Sequence, residues 1–459
     1  MTFEEAIKVV EAAFQEHEDR HLNDVELAIL RGSWENMTYD DMAKNFQYQA
    51  NYLKGDAGHK FWKKLSEVLG ESVSKRNFRA VLERSQSRFF QDGATPMQPI
   101  DLDCNYYIER PPIDSLCRKE IMTPGALLRI KASPKMGKTL LLSKLINHTA
   151  KVPGYRGVDL KLRLAEKEDF ENLDTFLQWF CSSVTQMLEL ESDNKVKQHW
   201  DKHLGNSKLK CMDYFEDCLL NDKQGSLVLG LDDVDRIYQF SEIAEEFLGL
   251  LRSWHEKAKT RPVWQKLRLI LVYTEEYAPL DINRSPFTVG TVVELPEFSP
   301  AQVEDLAKRY ELNWNTTEVQ QLMEMVNGHP YLVREALEHV TSWDIKLEDL
   351  LATIKHPTRA GIYSDLLQEH LWNLRKYVKH KETLNHSKLE EALKEETLNH
   401  SKLEEALKKV VMNNSPVELD SVLATKLYEL GLVKLQGNAV IPFCELYRLY
   451  FKELLKDTQ

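Results

Sequence analysis

Four short runs of consecutive apolar residues stand out in the middle of the chain: ALLRIKA (126–132), GVDLKLRLA (157–165), SLVLGLDDV (226–234) and LRLILVYT (267–274). Continuous rather than alternating apolar character suits strands buried on both faces. Helical stretches separate the runs, which predicts an α/β unit with a parallel sheet over residues 113–297. Residues 1–90 carry no strand-like alternation and read as all helix. Residues 91–112, QDGATPMQPIDLDCNYYIERPP, hold Gly93, several prolines and short polar residues, the composition of a linker. Beyond 298 the strand signal stops. Ser299 is an N-cap with Pro300 at the first helical position, and helices are expected to about 409. Over 410–459 the runs LVKLQ and AVIPF flank Gly437-Asn438, which predicts a β-hairpin between two helices, the wing of a winged-helix domain.

Within the first 90 residues, TYDDMAKNFQYQANYLKGDAGHKFWKKLSEVLG reads as a helix-turn-helix. Thr38 caps the first helix, with Asp41 three residues on in a near capping-box pattern. Ala43, Phe46 and Tyr48 are expected to pack the first helix and turn, and Tyr52, Leu53, Phe61, Trp62, Leu65 and Leu69 to line the second element. Charge is polarised here: residues 1–43 carry 3 basic and 11 acidic side chains, residues 44–90 carry 10 basic and 4 acidic. Lys54, Lys60, Lys63, Lys64, Lys75 and Arg76 form the basic half, a candidate contact for DNA phosphates. The same residues could instead meet an acidic protein partner or neutralise the acidic half of their own domain. Helix-turn-helix geometry serves protein binding as well as DNA binding.

One repeat interrupts the helical region. ETLNHSKLEEALK occurs at 382–394 and again, identically, at 396–408, a 14-residue period over 381–408 close to four helical turns. It reads as a duplication in an exposed helix, with a coiled-coil contact surface as the alternative.

The chain has 459 residues, 42% hydrophobic and 29% charged, so it can bury more than one core. No apolar run reaches the length of a membrane span, and the acidic, amphipathic start MTFEEAIKVVEAAF is unlike a secretory signal. The six cysteines lack metal-ligand spacing and are expected as reduced, mostly buried thiols of a cytoplasmic protein. A net charge of −12 argues against coating nucleic acid along the whole length but leaves room for a local basic module.

The candidate chemistry lies in LLRIKASPKMGKTLLLSKLI (127–146). A phosphate loop needs converging backbone amides, a lysine for the β/γ oxygens and a hydroxyl for Mg²⁺. Residues Ala132, Ser133, Pro134, Lys135, Met136, Gly137, Lys138, Thr139 and Leu140 supply that pattern, between a strand and a helix N-terminus. Ala132 stands where a glycine is usual; alanine serves if its φ stays negative. SLVLGLDDVD ends in paired carboxylates. Asp232 is the candidate Mg²⁺ ligand with Thr139, and Asp233 the candidate group that orients or deprotonates water. Thr274, at the end of LRLILVYT, is a candidate γ-phosphate sensor.

These motifs, together with YYIERPP (106–112), SPFTVG (285–290), VELPEFS, NGHPYLV (327–333) and GLVKLQGNAVIPFCELYRLYF, resemble the AAA-like domain of multidomain bacterial proteins, near the signal-transduction ATPases with numerous domains (STAND). The resemblance covers about 105–455. It implies an α/β P-loop NTPase core with a parallel sheet, a helical lid and a C-terminal winged helix, using ATP and Mg²⁺. The family's loop commonly has alanine at the position of Ala132, while its usual Pro-Arg pair is here Ser133-Pro134. Gly328-His329-Pro330 resembles the lid motif whose proline packs on adenine, so His329 and Pro330 are implied on one side of the base, and Arg110 and Pro111 on the other. The first 85 residues resemble the helix-turn-helix head of vWA-MoxR-associated proteins, often an adaptor. The expected function is an ATP-driven switch coupling nucleotide state to a protein partner or DNA, with a nucleotide-dependent oligomer as a further expectation. The rivals are a transcription regulator that uses ATP only as a ligand, and a nucleotide-dependent scaffold of a bacterial conflict system.

Overall fold

The computed structural model describes residues 6–7, 9–10, 13–14, 22, 24–34, 37–46, 53–69, 73–75, 77–79, 81–82, 106–190, 195–221, 225–276, 281–343, 345–354, 361–376 and 402–456. The chain forms two compact units, Met1–Ile100 and Asp101–Gln459.

The first unit contains α1 (Asp24–Trp34), α2 (Tyr39–Phe46), a π-helical turn (Leu53–Ala57) and α3 (Gly58–Leu69). The expected cap forms: Thr38 Oγ1 accepts the Asp41 N–H at 3.2 Å, while the Thr38 N–H donates to Asp41 Oδ2 at 3.1 Å. Of the expected core, Ala43, Leu53, Phe61, Trp62, Leu65 and Leu69 are buried, while Tyr48, Tyr52 and the side chain of Phe46 lie outside the described residues. The Trp62 indole N–H reaches the Tyr39 hydroxyl at 2.9 Å, tying α3 to α2.

The second unit begins with α4 (Ile113–Ile121), β1 (Leu127–Lys131), α5 (Lys138–Ala150) and β2 (Tyr155–Lys161). A helical insertion follows, α6 (Leu173–Met187), α7 (Lys195–Lys202) and α8 (Ser207–Tyr214), before β3 (Ser226–Asp232), α9 (Ser241–Ala258), β4 (Leu267–Tyr273) and β5 (Thr291–Glu294). The sheet order is β2-β3-β4-β1-β5, and every pairing is parallel. β4 therefore lies between the strand leading into the phosphate loop and the strand ending in Asp232. One face of the sheet packs on α5 through Leu141, Leu142 and Leu145; the other packs on an aromatic layer that includes Phe176, Phe180, Phe247 and Trp254.

Two strand expectations change. The second run pairs over 155–161 rather than 157–165, because the chain turns into a 3₁₀ helix at Leu162–Leu164 and leaves the sheet. β5, which hydrophobic patterning overlooked, is a four-residue edge strand with two exposed positions; pairing with β1, Leu128 beside Thr291, holds it in place.

Helices α10 (Pro300–Arg309), α11 (Thr316–Val326), α12 (Pro330–Trp343), α13 (Leu347–Ile354) and α14 (Ser364–Lys376) follow. Ser299 makes a capping box with Gln302, and Asn315 makes another with Glu318. Only Lys402 to Lys408 of the repeat lie among the described residues, inside a helix running to 412. The last elements are β6 (Val417–Glu418), α15 (Ser421–Glu429), β7 (Val433–Gln436), β8 (Ala439–Pro442) and α16 (Glu445–Leu454). The hairpin across Gly437-Asn438 forms, pairing Leu435 with Val440 between the two helices. Described residues between 298 and 455 share a core in which Leu332, Leu367, Val410, Tyr447 and Phe451 are buried together. Ile108 and Met136 join that core, so the end of the expected linker and the phosphate loop both pack against it.

Candidate nucleotide site

β1 delivers the chain into the loop Ala132–Gly137, and α5 starts at Lys138. Positive φ falls at Lys135 (58°) and Gly137 (91°) and not at Ala132, so alanine fits the first position without strain. A Cβ on Gly137 would lie 3.1 Å from an Arg110 guanidinium nitrogen. Glycine there satisfies both the left-handed backbone and the close approach.

The β1-β4-β3 adjacency decides what meets at the strand ends. The Lys138 ammonium donates to Ala132 O (2.6 Å), Ser133 O (3.1 Å) and the Thr274 hydroxyl at the end of β4 (3.1 Å). Burial lowers its pKa, while Asp235, Asp232 and Asp233 oppose that shift. Thr139 Oγ1 donates to Asp232 Oδ2 at 2.7 Å. The hydroxyl and carboxylate expected from the sequence to meet Mg²⁺ therefore touch across two elements separated by 93 residues. Asp233 takes a left-handed conformation (φ 56°) at the end of β3. Arg163 Nε lies 3.0 Å from Asp233 Oδ2 as an ion pair, without hydrogen-bond alignment.

Sequence reasoning missed Asp235. Its carboxylate accepts the Thr274 N–H at 3.0 Å and the Glu275 N–H at 3.2 Å, so it orients the end of β4. Burial pushes its pKa up to about 6. Burial likewise raises Asp159 and Asp233, and the neighbouring Asp232 carboxylate adds to both. The only available signal was a third acid three positions after Asp232, a spacing equally suited to capping. A cluster of carboxylates disfavouring their own ionisation around one lysine fits a divalent cation, which would relieve the crowding.

Arg110 is buried. Its Nη2 donates to Met136 O at 2.9 Å, its guanidinium stacks 5.0 Å from the Phe298 ring centre, and its Nε and Nη1 have no hydrogen-bond partner. Asp114 Oδ2 accepts the Arg110 backbone N–H at 2.8 Å and fixes the segment that includes Pro111. His329 is 2% exposed, lies against Phe443, and has an unpartnered Nδ1; burial drives its pKa down to about 3. Pro330 starts α12, also buried. Gly328 (φ 70°) accepts the Phe298 N–H at 2.8 Å through its carbonyl, which links the His329 turn to the ring beneath Arg110. Orphaned buried polar atoms on both Arg110 and His329, flanking one loop, fit a polar ligand between them.

The loop's other side meets the C-terminal elements. Ser133 Oγ approaches Tyr428 O at 3.4 Å, and a Cβ on Gly431 would lie 3.0 Å from Ser133 Cβ. Lys135 pairs with Glu369 (3.4 Å) and sits 4.4 Å from the Tyr331 ring centre. Lys426 pairs with Glu275, and Lys434 with Glu297 at 2.7 Å. A cavity of about 340 Å³ lies here, lined by residues including Ser133, Met136, Thr274, Glu294 and Lys434. Lys138, Thr139 and Asp232 do not line it, so it adjoins the phosphate seat rather than forming it.

Lys54, Lys60 and Lys63 are exposed and Lys64 is half-buried. Lys75 donates to Met37 O and lies over the Tyr39 ring, which engages it within its own domain. Arg76 lies outside the described residues.

A five-stranded parallel sheet with its loop lysine, threonine and strand-end aspartate in register defines a P-loop ATPase fold. The chain belongs to the AAA-like domain family, whose model matches residues 95–388 and 379–453; the two segments overlap at 379–388, across the start of the repeated stretch. Residues 1–85 match the vWA-MoxR associated protein N-terminal helix-turn-helix. Among solved structures, a Walker-type ATPase of Pyrococcus abyssi is similar at 14% identity and TM-score 0.51, covering 75% of this chain and 96% of that one. A STAND protein with a tetratricopeptide repeat sensor from Pyrococcus horikoshii aligns at 15% identity and TM-score 0.33, over 76% of this chain and 43% of that one. The ORC2 protein of Aeropyrum pernix aligns at 16% identity and TM-score 0.40, over 77% and 96%. No curated protein matches the chain. Among the described residues, no helix is long and apolar enough to cross a membrane.

Proposed function

We propose that this protein is an ATP-dependent switch whose nucleotide state is transmitted through the C-terminal elements to a protein partner or DNA. The observation that carries the reading is the Thr139–Asp232 hydrogen bond of 2.7 Å beside Lys138, with Thr274 bonded to the same ammonium. In this reading the loop amides and Lys138 hold the β/γ phosphates, and Thr139 and Asp232 hold Mg²⁺, which neutralises phosphate charge. Asp233 orients or deprotonates the attacking water, and Thr274 senses the γ-phosphate. Arg110, Pro111, His329 and Pro330 frame the base. To reach a phosphate, Lys138 must leave the carbonyls of Ala132 and Ser133. That shift strains the Ser133–Tyr428 and Lys135–Glu369 contacts and so reports to the C-terminal elements, the proposed winged helix.

The exposed Lys54, Lys60 and Lys63 support an electrostatic partner surface on the first unit; whether it meets DNA or an acidic protein is read from the salt dependence of binding. The switch is tested by thermal unfolding with ATP and Mg²⁺. At a hundredfold excess over Kd, ATP stabilises the wild type by about 2.7 kcal/mol, and Lys138→Met removes the shift. Equal shifts in both proteins would refute the site. Phosphate release above background in the wild type, lost in Asp233→Asn, separates hydrolysis from a ligand-only or scaffold role.

A further inference from the structure

The insertion between β2 and β3 carries a cluster that nucleotide chemistry does not use. His199 lies on α7, and His203 follows one turn later, its N–H donating to His199 O at 3.0 Å. The two imidazoles stack with centres 3.8 Å apart and 18° between their planes. Asp217 comes from the π-helical turn Phe215–Leu219 that continues α8. One potential ligand atom from each of His199, His203 and Asp217 lies within 4.8 Å of the others.

His199 is 9% exposed, and its Nε2 is buried with no hydrogen-bond partner. Packing explains the ring, which meets Tyr214 edge-on at 5.2 Å, but leaves that nitrogen unexplained. Histidines at i and i+4 share one helix face, as in helical zinc sites. Asp213 Oδ2 lies 3.8 Å from His203 Nδ1, an ion-pair distance too long for a hydrogen bond. Two imidazoles and one carboxylate suit a borderline cation that keeps an open position for water.

We propose that His199, His203 and Asp217 bind one divalent transition cation of the zinc type, tying α7 to the Phe215–Leu219 turn. The site is separate from the Thr139–Asp232 pair, which favours Mg²⁺ by its all-oxygen chemistry.

The test uses the full chain, stripped with chelator and titrated with Co²⁺ in the presence of excess Mg²⁺. One Co²⁺ per chain should bind with the visible bands of four-coordinate cobalt, and one equivalent of Zn²⁺ should remove them. His203→Ala and Asp217→Asn each should weaken binding by at least about tenfold, on the order of losses seen when metal-site groups are removed. Asp217 is exposed and His203 half-buried, so both variants should fold, which near-ultraviolet circular dichroism checks. Zn²⁺ should raise the Tm of the wild type and of neither variant. Absence of the bands, their undiminished persistence in both variants, or a thiolate charge-transfer band from Cys211 or Cys218 would each overturn the assignment.

Discussion

Replacing Asp235 by asparagine should change how stability depends on pH, and the size follows from the site. In the folded chain, burial holds this carboxyl at about 6 against its ordinary 3.8. Between those values the folded protein keeps a proton that the unfolded chain has already lost. The resulting stabilisation is complete below the unfolded value and disappears as pH rises through about 6. The full difference corresponds to ~3 kcal/mol at 1.36 kcal/mol per pH unit. Between about pH 5 and about pH 7.5 the accessible part is ~1.4 kcal/mol. Asparagine has no titration, yet one amide oxygen can still accept the Thr274 and Glu275 N–H groups that Oδ1 accepts at 3.0 and 3.2 Å. Urea unfolding of both proteins at the two pH values, without nucleotide or Mg²⁺, cancels the titrations they share. The wild type should lose ~1.4 kcal/mol more than the variant on going to the higher pH. An equal loss, or a larger loss in the variant, would show that Asp235 is not buried against the end of β4.

Two further substitutions test other contacts. Arg163→Ala breaks an ion pair whose side chains are 59% and 39% exposed, so stability should change by less than about 1 kcal/mol. Arg163 lowers the Asp233 pKa, so its loss should move the acid limb of the phosphate-release pH profile to higher pH; an unmoved limb would remove Asp233 from the base role. Gly328→Ala places a side chain at φ 70° with its Cβ 2.2 Å from Phe298 O, and should destabilise by at least ~2 kcal/mol in urea unfolding; a cost under about 1 kcal/mol would contradict the close turn over Phe298.

Local chemistry made much of this protein legible from its residues alone. The phosphate loop declares itself because lysine and threonine must follow glycine at the helix start. Three of the four apolar runs match their strands closely, because a strand buried on both faces has no polar alternation to obscure it. The caps at Thr38 and Ser299 and the hairpin at Gly437-Asn438 depend on neighbours within a few positions, so they too could be read in advance. Tertiary structure decided what distance along the chain hides. β5 is too short and too exposed to signal itself, and exists because β1 offers an unpaired edge. Asp235 became a clamp on β4 only through the strand order that places β4 beside β3. Arg110 meets the phosphate loop, and Ser133 meets Tyr428, across intervals for which no local pattern exists. Periodicity and capping are short-range properties of a sequence, whereas the partner of a buried charge is chosen by whichever elements the fold brings together.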